Sequence, residues 1–174
     1  MKVLQNHVLR DHVIIGAVAG ALLLPFLGLE GGFLFWISTI LIDLDHFFNF
    51  LYYTRFRVFR LDVMFRFYEH VFHVRRREEF LAIEPFHAIE FLAAVGGGAF
   101  WLPVIRPVFY GFLFHIAVDV VHLKRFGALT KRSHSVIEYY WRRKHILAAG
   151  GNPDRIFAET LNEMNLPSIF PKRS

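Results

Sequence analysis

Acidic and histidine residues interrupt the most apolar parts of this sequence, where they could bind metal ions. The segment "FLFHIAVDVVHL" at 112–123 carries His115, Asp119 and His122. On a helix, these three positions share one face and would present three ligands in a single stripe. Imidazole and carboxylate are common ligands of divalent ions such as zinc. We therefore expect His115 and Asp119 to bind metal, with His122 beside them.

Two further pairs have a spacing that suits ligands on a helix. His87 and Glu90 are three residues apart, and so are Asp43 and His46. Asp43 and Asp45, by contrast, would lie about 200° apart around an ideal helix. Either the helix breaks within "IDLDH", or one of these two carboxylates does not bind the ion directly.

Composition indicates that membrane helices must position these residues. The chain has 174 residues, of which 55% are hydrophobic and 17% aromatic, with a mean hydropathy of +0.36. Four stretches without Lys or Arg, at 13–29, 33–53, 88–105 and 108–123, are close to the roughly 20 residues that span a bilayer. We predict an all-α fold, a membrane-embedded helical bundle with four transmembrane helices, formed as one domain over 1–174.

The distribution of basic residues predicts how the chain lies in the membrane. Nineteen of the 20 Lys and Arg residues lie before the first stretch, between the second and third, or after the fourth. The positive-inside rule therefore places both termini and the central connection in the cytoplasm, in a multi-pass protein of the cell inner membrane. The net charge of +5 favours anionic lipid headgroups as partners, and no nucleic acid is expected.

The segments outside the membrane are also predicted to be helical. Residues 55–80 repeat apolar side chains at steps of three and four between arginines, which is typical of a helix in the membrane interface. Two cytosolic helices are predicted within residues 131–166. The first of these is closed by Gly150 and Gly151, and the second begins with an Asn152 cap and Pro153 at its first position.

The acidic and histidine residues within the spans or at their cytoplasmic ends all fall in the cytoplasmic half of this topology or near the midplane. They include His12, Asp43, Asp45, His46, His87, Glu90, His115 and Asp119. A hydrogen-bonded network of protonated acids could explain one or two of them, but no Lys or Arg lies within the spans to neutralise the rest. A metal site explains the whole set. His134 and Glu138 form a further pair that could bind metal, predicted to lie on a cytosolic helix.

The order of four motifs resembles the membrane-bound metal-dependent hydrolases of the YdjM type. The motifs are "RDHVIIGAVAG", "ILIDLDHFFNF", "PFHAIEFL" and "GFLFHIAVDVVHL", within residues 10–123. The resemblance implies metal-site roles for His12, Asp43, Asp45, His46, His87, His115 and Asp119.

This sequence departs from the family pattern at three places. Ile42 stands where the family has Pro, Ala88 follows the histidine in place of Ser, and the His-Arg-Gly before the third motif is missing. A missing group could be supplied by Glu90 or by the arginines at 75–77.

A more distant likeness suggests a class of substrate. His115 with Asp119, followed by His134 with Glu138, is similar to the pattern of the zinc-dependent phospholipase C and S1/P1 nuclease superfamily, whose members cleave phosphoesters. The likeness implies zinc as cofactor, with manganese as the alternative.

Together these features predict a metal-dependent hydrolase acting on a phospholipid or lipid-linked phosphate. Metal-activated water would attack the phosphoester, and Glu90 or Glu138 would act as the catalytic proton acceptor. Two alternatives stay open: a metal or proton transporter, and a non-catalytic membrane scaffold with a structural metal. The sequence assigns no oligomeric state.

Overall fold

A computed structural model describes residues 7–71, 81–127, 129 and 132–170, and most of them are helical, as the all-α prediction requires. The helices are α1 (His7–Leu22), α2 (Leu24–Leu41), α3 (Leu44–Tyr53), α4 (Leu61–Glu69), α5 (Ile89–Trp101), α6 (Arg106–Phe126), α7 (Val136–Ala148) and α8 (Arg155–Glu163). Short 3-10 turns at Pro85–His87 and Pro103–Ile105 precede α5 and α6, respectively.

The chain divides into two compact units, each made of two separate stretches of sequence. The first contains Met1–Leu44 and Pro85–His122, and the second contains Asp45–Glu84 and Leu123–Ser174. The single domain predicted for 1–174 stays a prediction.

Small residues allow α1 and α2 to approach closely in the first unit. A Cβ added at Gly16 would collide with Oγ1 of Thr39, and one added at Gly20 would lie 3.1 Å from the carbonyl oxygen of Gly32. The indole of Trp36 donates a hydrogen bond of 3.1 Å to the carbonyl of Val13, which joins the two helices. Close backbone approach at small residues is typical of helices packed in a membrane.

The connection between these helices differs from the prediction. The first span was expected to end at residue 29, with a loop at 30–32, but α1 ends at Leu22 and α2 begins at Leu24. Pro25 lies in the first turn of α2, where its missing N–H costs no helical hydrogen bond. The chain bends again at Gly28, whose φ of 68° favours glycine.

Two stretches in the described part of the chain are long and apolar enough to cross a membrane: Leu24–Tyr53 and Pro103–Arg125. They correspond to the second and fourth predicted spans. The first and third predicted spans are represented by the shorter apolar helices His12–Leu22 and Ile89–Trp101.

The predicted span 33–53 is not one continuous helix. α2 ends at Leu41, a turn occupies Ile42 and Asp43, and α3 begins at Leu44. This is the break within "IDLDH" that was one of the two alternatives left open by the sequence.

Aromatic side chains and a glycine pack α5 and α6 into the first unit. The rings of Phe91 and Phe112 lie 5.8 Å apart. Gly111 on α6 faces α2 so closely that an added Cβ would lie 2.5 Å from the carbonyl oxygen of Phe35. These contacts fix the position of the polar stripe on α6 in this unit.

The second unit has its own hydrophobic core. Its fully buried members include Phe50, Phe67, Ile156, Phe157 and Leu161 from α3, α4 and α8, and Val71 just after α4. The backbone N–H of Ile169 donates to the carbonyl of Tyr53, which ties the chain after α8 to the end of α3.

The predicted interfacial helix at 55–80 begins later than expected. α4 covers Leu61–Glu69, and Phe56 and Phe59 lie before it with 59% and 65% of their surface exposed. Arg55 and Phe56 have φ angles of 56° and 54°, which end the helical path after α3. Residues 72–80 lie outside the described residues.

The ends of α7 and α8 agree only in part with the prediction. Ser135 caps α7, and the chain after this helix turns through Gly150, as expected. α8 begins at Arg155 rather than at Pro153, because Asn152 accepts a hydrogen bond from the backbone N–H of Asp154 in a turn that precedes the helix.

Two short strands join the two stretches of the second unit. β1 (Ala82–Ile83) pairs in parallel with β2 (Arg132–Ser133), with Ala82 opposite Arg132. Arg132 also pairs with Glu84, and both side chains are almost fully buried. The prediction from the sequence did not include this pairing.

Candidate metal centre

His115 is fixed in one orientation by the backbone of α2. Its Nδ1 lies 2.7 Å from the carbonyl oxygen of Thr39, and the residue is 1% exposed. Because a carbonyl only accepts hydrogen bonds, Nδ1 must carry the proton. In a neutral imidazole the lone pair is then on Nε2. Histidines that bind metal are commonly oriented by such a hydrogen bond from the other ring nitrogen.

Three ligand atoms surround Nε2 of His115. Nε2 of His87 lies 3.2 Å away, Oδ1 of Asp43 lies 3.4 Å away, and Oδ2 of Asp119 lies 3.6 Å away. Nε2 of His87 is itself 3.6 Å from each of the same two carboxylate oxygens. Four atoms from four residues thus converge on one point of the first unit.

Five of the separations among these four atoms are close to those expected between the ligands of a tetrahedral zinc ion. Two ligand atoms that each lie 2.0–2.1 Å from a tetrahedral zinc ion are about 3.3 Å apart. Five of the six separations are given above, and all lie between 3.2 and 3.6 Å. The donor set is two imidazoles and two carboxylates, which suits zinc and also manganese.

His12 faces the other oxygen of each carboxylate. Its Nε2 is 3.3 Å from Oδ1 of Asp119, and its Nδ1 is 3.7 Å from Oδ2 of Asp43. The ring is 4% exposed, and neither nitrogen makes a hydrogen bond in the described structure. A neutral imidazole has one N–H and one lone pair, so one nitrogen would face a carboxylate with its lone pair. A cation beside His12 would remove that repulsion.

Asp43 and Asp119 therefore each direct one oxygen to the pair His87 and His115 and the other oxygen to His12. Carboxylates in this arrangement can bridge two neighbouring ions. One ligand atom each from His12, His115 and Asp119 lie within 4.8 Å of one another, so His12 belongs to the same cluster of potential ligands.

Four local features of the chain bring these residues together. Asp43 lies in the turn between α2 and α3, and His87 ends the 3-10 turn before α5. His115 and Asp119 lie one turn apart on α6, as their spacing predicted, and His12 lies on α1. Because Asp43 lies in a turn, its carboxylate does not have to point in the direction that a continuous helix would require.

His122 contacts a residue of this centre, whereas Glu90 is described only by its position and burial. The ring of His122 stacks on that of His12, with centroids 5.6 Å apart and planes 4° from parallel. Glu90 is half-buried in the first turn of α5. Its predicted alignment with His87 on one helix is wrong, because His87 ends a separate 3-10 turn.

Asp45 and His46 lie on α3 in the second unit. Nδ1 of His46 is 3.4 Å from Oε1 of Glu84, and the carbonyl of His46 accepts a hydrogen bond from the hydroxyl of Tyr68 at 2.9 Å. Asp45 is 2% exposed. The role of both residues as metal ligands stays a prediction.

His134 and Glu138 have a different arrangement from the one predicted. His134 precedes α7 instead of lying on it, and its Nε2 donates to the carbonyl of Leu129 at 3.2 Å. Glu138 accepts a hydrogen bond from the backbone N–H of His134 at 3.0 Å and pairs with Arg142 at 3.1 Å. With Ser135 as the cap, these contacts form the start of α7.

Sequence reasoning missed Thr39, because its contribution is a backbone carbonyl that no residue type reveals. It also missed Glu84, the buried partner of His46. The arginines at 75–77, which were predicted as a possible source of the missing group, lie outside the described residues.

Comparison with known protein families, with characterised proteins and with solved structures finds no match for this chain.

Proposed function

We propose that this chain is a membrane-bound, metal-dependent hydrolase that acts on a phosphoester at the cytoplasmic face of the membrane. The observation that carries the proposal is the near-tetrahedral set of four ligand atoms from Asp43, His87, His115 and Asp119. The orientation of His115 by Thr39 supports the same interpretation.

The buried nitrogens of His12 support metal binding independently. They face carboxylate oxygens at 3.3 and 3.7 Å without hydrogen bonds, an arrangement that an intervening cation would stabilise. The metal-free alternative is a polar network in which His87 donates to His115 and His12 is protonated. In that alternative, two carboxylates and three imidazoles would lie together without a bound ion, although these groups are common metal ligands.

The number of ligands indicates where water could react. Two imidazoles and two carboxylate oxygens fill a tetrahedral shell, which is typical of a structural zinc site. On the His12 side, one imidazole nitrogen and the two remaining carboxylate oxygens supply at most three ligands. A catalytic site needs such an open position, so we assign hydrolysis to this side.

A divalent ion bound there would lower the pKa of a bound water and neutralise charge on the phosphate oxygens. The protein residues have separate tasks. Asp43 and Asp119 hold the ligand set together, and burial of His12 and His115 excludes bulk water. Glu90, in the first turn of α5, is the proposed proton acceptor, whereas Glu138 is occupied at the start of α7.

The lipid substrate and the orientation follow from the apolar helices and the basic residues. The proposal includes four membrane helices and places both termini in the cytoplasm. It also includes membership of the YdjM-type family. Leu24–Tyr53 and Pro103–Arg125 are long enough to span, and the Lys and Arg distribution supports the cytoplasmic side. Reporter fusions after Thr54 and after residue 170 test the orientation, and a periplasmic signal from either would overturn it.

Metal content measured on two variants tests the centre. Wild-type protein purified in detergent should contain up to two zinc or manganese ions per chain by elemental analysis. His115→Ala should lose nearly all metal. His12→Ala should keep one ion and lose hydrolysis of phospholipids in mixed micelles.

His145→Ala is the matched control, because His145 packs on Trp141 in α7. It should change neither metal content nor hydrolysis. Folded wild-type protein that binds no divalent ion would overturn the metal centre. Metal binding with hydrolysis unaffected by His12→Ala would overturn the catalytic role, and ion transport by reconstituted protein would favour the transporter.

A further inference from the structure

The second unit contains a cleft of about 620 Å³ that plays no part in the proposed metal chemistry. Its lining includes Arg55 and Arg57, in the loop between α3 and α4. It also includes residues from the end of α8 and from the chain that follows, among them Asn162 and Ser168. The lining thus combines two cations with polar side chains.

Among the described residues, the two arginines of the cleft differ from their neighbours in having no acidic partner. In the structure as described, neither Arg55 nor Arg57 makes an ion pair. Arg60 and Arg66, farther along the same segment, both pair with Asp62, at 2.8 and 3.3 Å. The acidic residue that lines the cleft is Glu159, whose carboxylate is 3.9 Å from Arg155. The lining therefore carries a net positive charge.

The backbone that holds Arg55 is strained. Arg55 and Phe56 have consecutive φ angles of 56° and 54°, a region that L-residues with side chains rarely adopt. The backbone N–H of Phe56 donates to the carbonyl of Leu51 at 2.7 Å, which holds this turn closed. A glycine at position 55 would avoid the strain but would remove the guanidinium. Strain of this kind clusters at ligand-binding sites.

We propose that this cleft binds the phosphate group of a phosphate ester. The planar guanidinium group matches two phosphate oxygens at once, and two of them can neutralise a dianionic phosphate. The hydroxyl of Ser168 accepts a hydrogen bond from the N–H of Phe170 at 3.0 Å, which leaves its own proton to donate to a phosphate oxygen. Leu166 and Phe170 line the same cleft and could contact an apolar part of the ligand.

The phosphate ester could be a phospholipid headgroup or a soluble molecule, and two probes distinguish them. Full-length protein in detergent would be titrated calorimetrically with glycerol phosphate and with short-chain phosphatidic acid, at about 150 mM salt to suppress non-specific attraction. Tighter binding of phosphatidic acid, by tenfold or more, assigns the site to lipid. Equal affinity for the two probes assigns it to soluble phosphate esters.

Variants test whether the cleft is the binding site. Arg55→Gly and Arg57→Gln should each weaken binding of the better probe at least tenfold. Arg60→Gln is the matched control, because it removes the same charge from the same segment outside the cleft, and it should change affinity less than twofold. Glu159→Gln should strengthen binding, since it removes a negative charge from the lining.

The choice of Arg55→Gly protects the test against misfolding, because glycine suits the backbone at this position. Its metal content should equal that of the wild type, since the cleft does not depend on the metal centre. No saturable binding of either probe would overturn the proposal. So would an equal loss of affinity in Arg60→Gln and Arg57→Gln, because general surface charge would then explain the binding.

Discussion

The imidazole of His115 donates a hydrogen bond to the backbone carbonyl of Thr39, at 2.7 Å. This contact joins the polar stripe of α6 to the last turns of α2, and it leaves Nε2 directed at His87, Asp43 and Asp119. The geometry of the centre therefore depends on how closely α2 and α6 pack as well as on the ligands themselves.

Asp119→Asn should lower metal occupancy at least tenfold. The substitution keeps the size of the side chain but removes the negative charge on both of the oxygens that face His12 and His115. Loss of one ligand interaction worth a few kcal/mol accounts for an effect of that size. Elemental analysis after dialysis against a weak chelator measures it. Unchanged metal content together with raised thermal stability would instead identify Asp119 as part of a metal-free polar network.

Gly111→Ala should destabilise the protein by about 1–3 kcal/mol. Its added Cβ would lie 2.5 Å from the carbonyl oxygen of Phe35 and 2.9 Å from Cβ of Ser38, so α6 would have to move away from α2. Metal affinity should fall as well, because His115 would separate from Thr39. Gly97→Ala on α5 is the control, since nothing lies within 4 Å of its added Cβ. Unfolding in detergent compares the two, and equal stability would contradict the packing described for Gly111.

Arg55→Gly should raise the free energy of unfolding by about 0.5–1 kcal/mol. The φ of 56° at Arg55 is unfavourable for a residue with a Cβ, and glycine removes that cost. Arg57→Gly is the control. Arg57 has no positive φ, so glycine there only adds flexibility to the unfolded chain and should lower stability. The strained turn would be disproved by a lower unfolding midpoint for Arg55→Gly than for Arg57→Gly.

Glu138→Gln should leave metal content unchanged and alter stability by less than about 0.5 kcal/mol. Glutamine keeps an oxygen that can accept the hydrogen bond from the backbone N–H of His134 at the start of α7. Ser135→Ala should cost about 1 kcal/mol, because it removes the cap that accepts from Ile137 and Glu138. Loss of metal from Glu138→Gln would contradict this prediction and would support Glu138 as a metal ligand, as predicted from the sequence.

Stability should fall as the pH rises above about 10, and Tyr68 should account for part of the fall. Burial raises the pKa of the Tyr68 hydroxyl well above its ordinary value of 10.0. Between these two pKa values the unfolded chain loses a proton that the folded chain keeps, so the free energy of unfolding decreases by up to about 1.4 kcal/mol per pH unit.

Tyr68→Phe tests this contribution. Below pH 10 the variant should be less stable by about 1 kcal/mol, because it loses the hydrogen bond to the carbonyl of His46. Above pH 10 its stability should fall less steeply than that of the wild type. Denaturant titrations at several pH values measure both effects, with Tyr140→Phe, an exposed position, as the control. Identical slopes in Tyr68→Phe and the wild type would contradict the prediction.

The ligand stripe of α6 and the mostly helical fold could be predicted from the sequence. His115, Asp119 and His122 share a face because the spacing of residues on a helix is regular, and that regularity holds inside an apolar segment. The break at Asp43 was recognised only as an alternative. A turn within an apolar run has few residues that mark it in the sequence. Here the break lies where the chain passes from the first unit, which contains α2, to the second unit, which contains most of α3.

The hydrogen bond from His115 to Thr39 and the pairing of β1 with β2 could not be predicted, because both depend on backbone groups from distant parts of the chain. The functions of His134 and Glu138 were predicted from residue type and spacing alone. In the structure, Ser135 caps α7 and Glu138 accepts from the backbone N–H of His134, so the start of a helix also accounts for this spacing.

The pairing of β1 with β2 has a consequence for biosynthesis. About fifty residues separate Ala82 from Arg132, and the segment between them includes α5 and α6. The second unit cannot complete this sheet until α6 has left the ribosome. His115 and Asp119 are also made late, so, in the membrane location proposed above, α1 and the turn at Asp43 would be exposed to lipid with unpartnered polar groups until α6 is made. We expect these early segments to depend on the translocon or on bound lipid until α6 arrives, and chains truncated before residue 119 to be degraded.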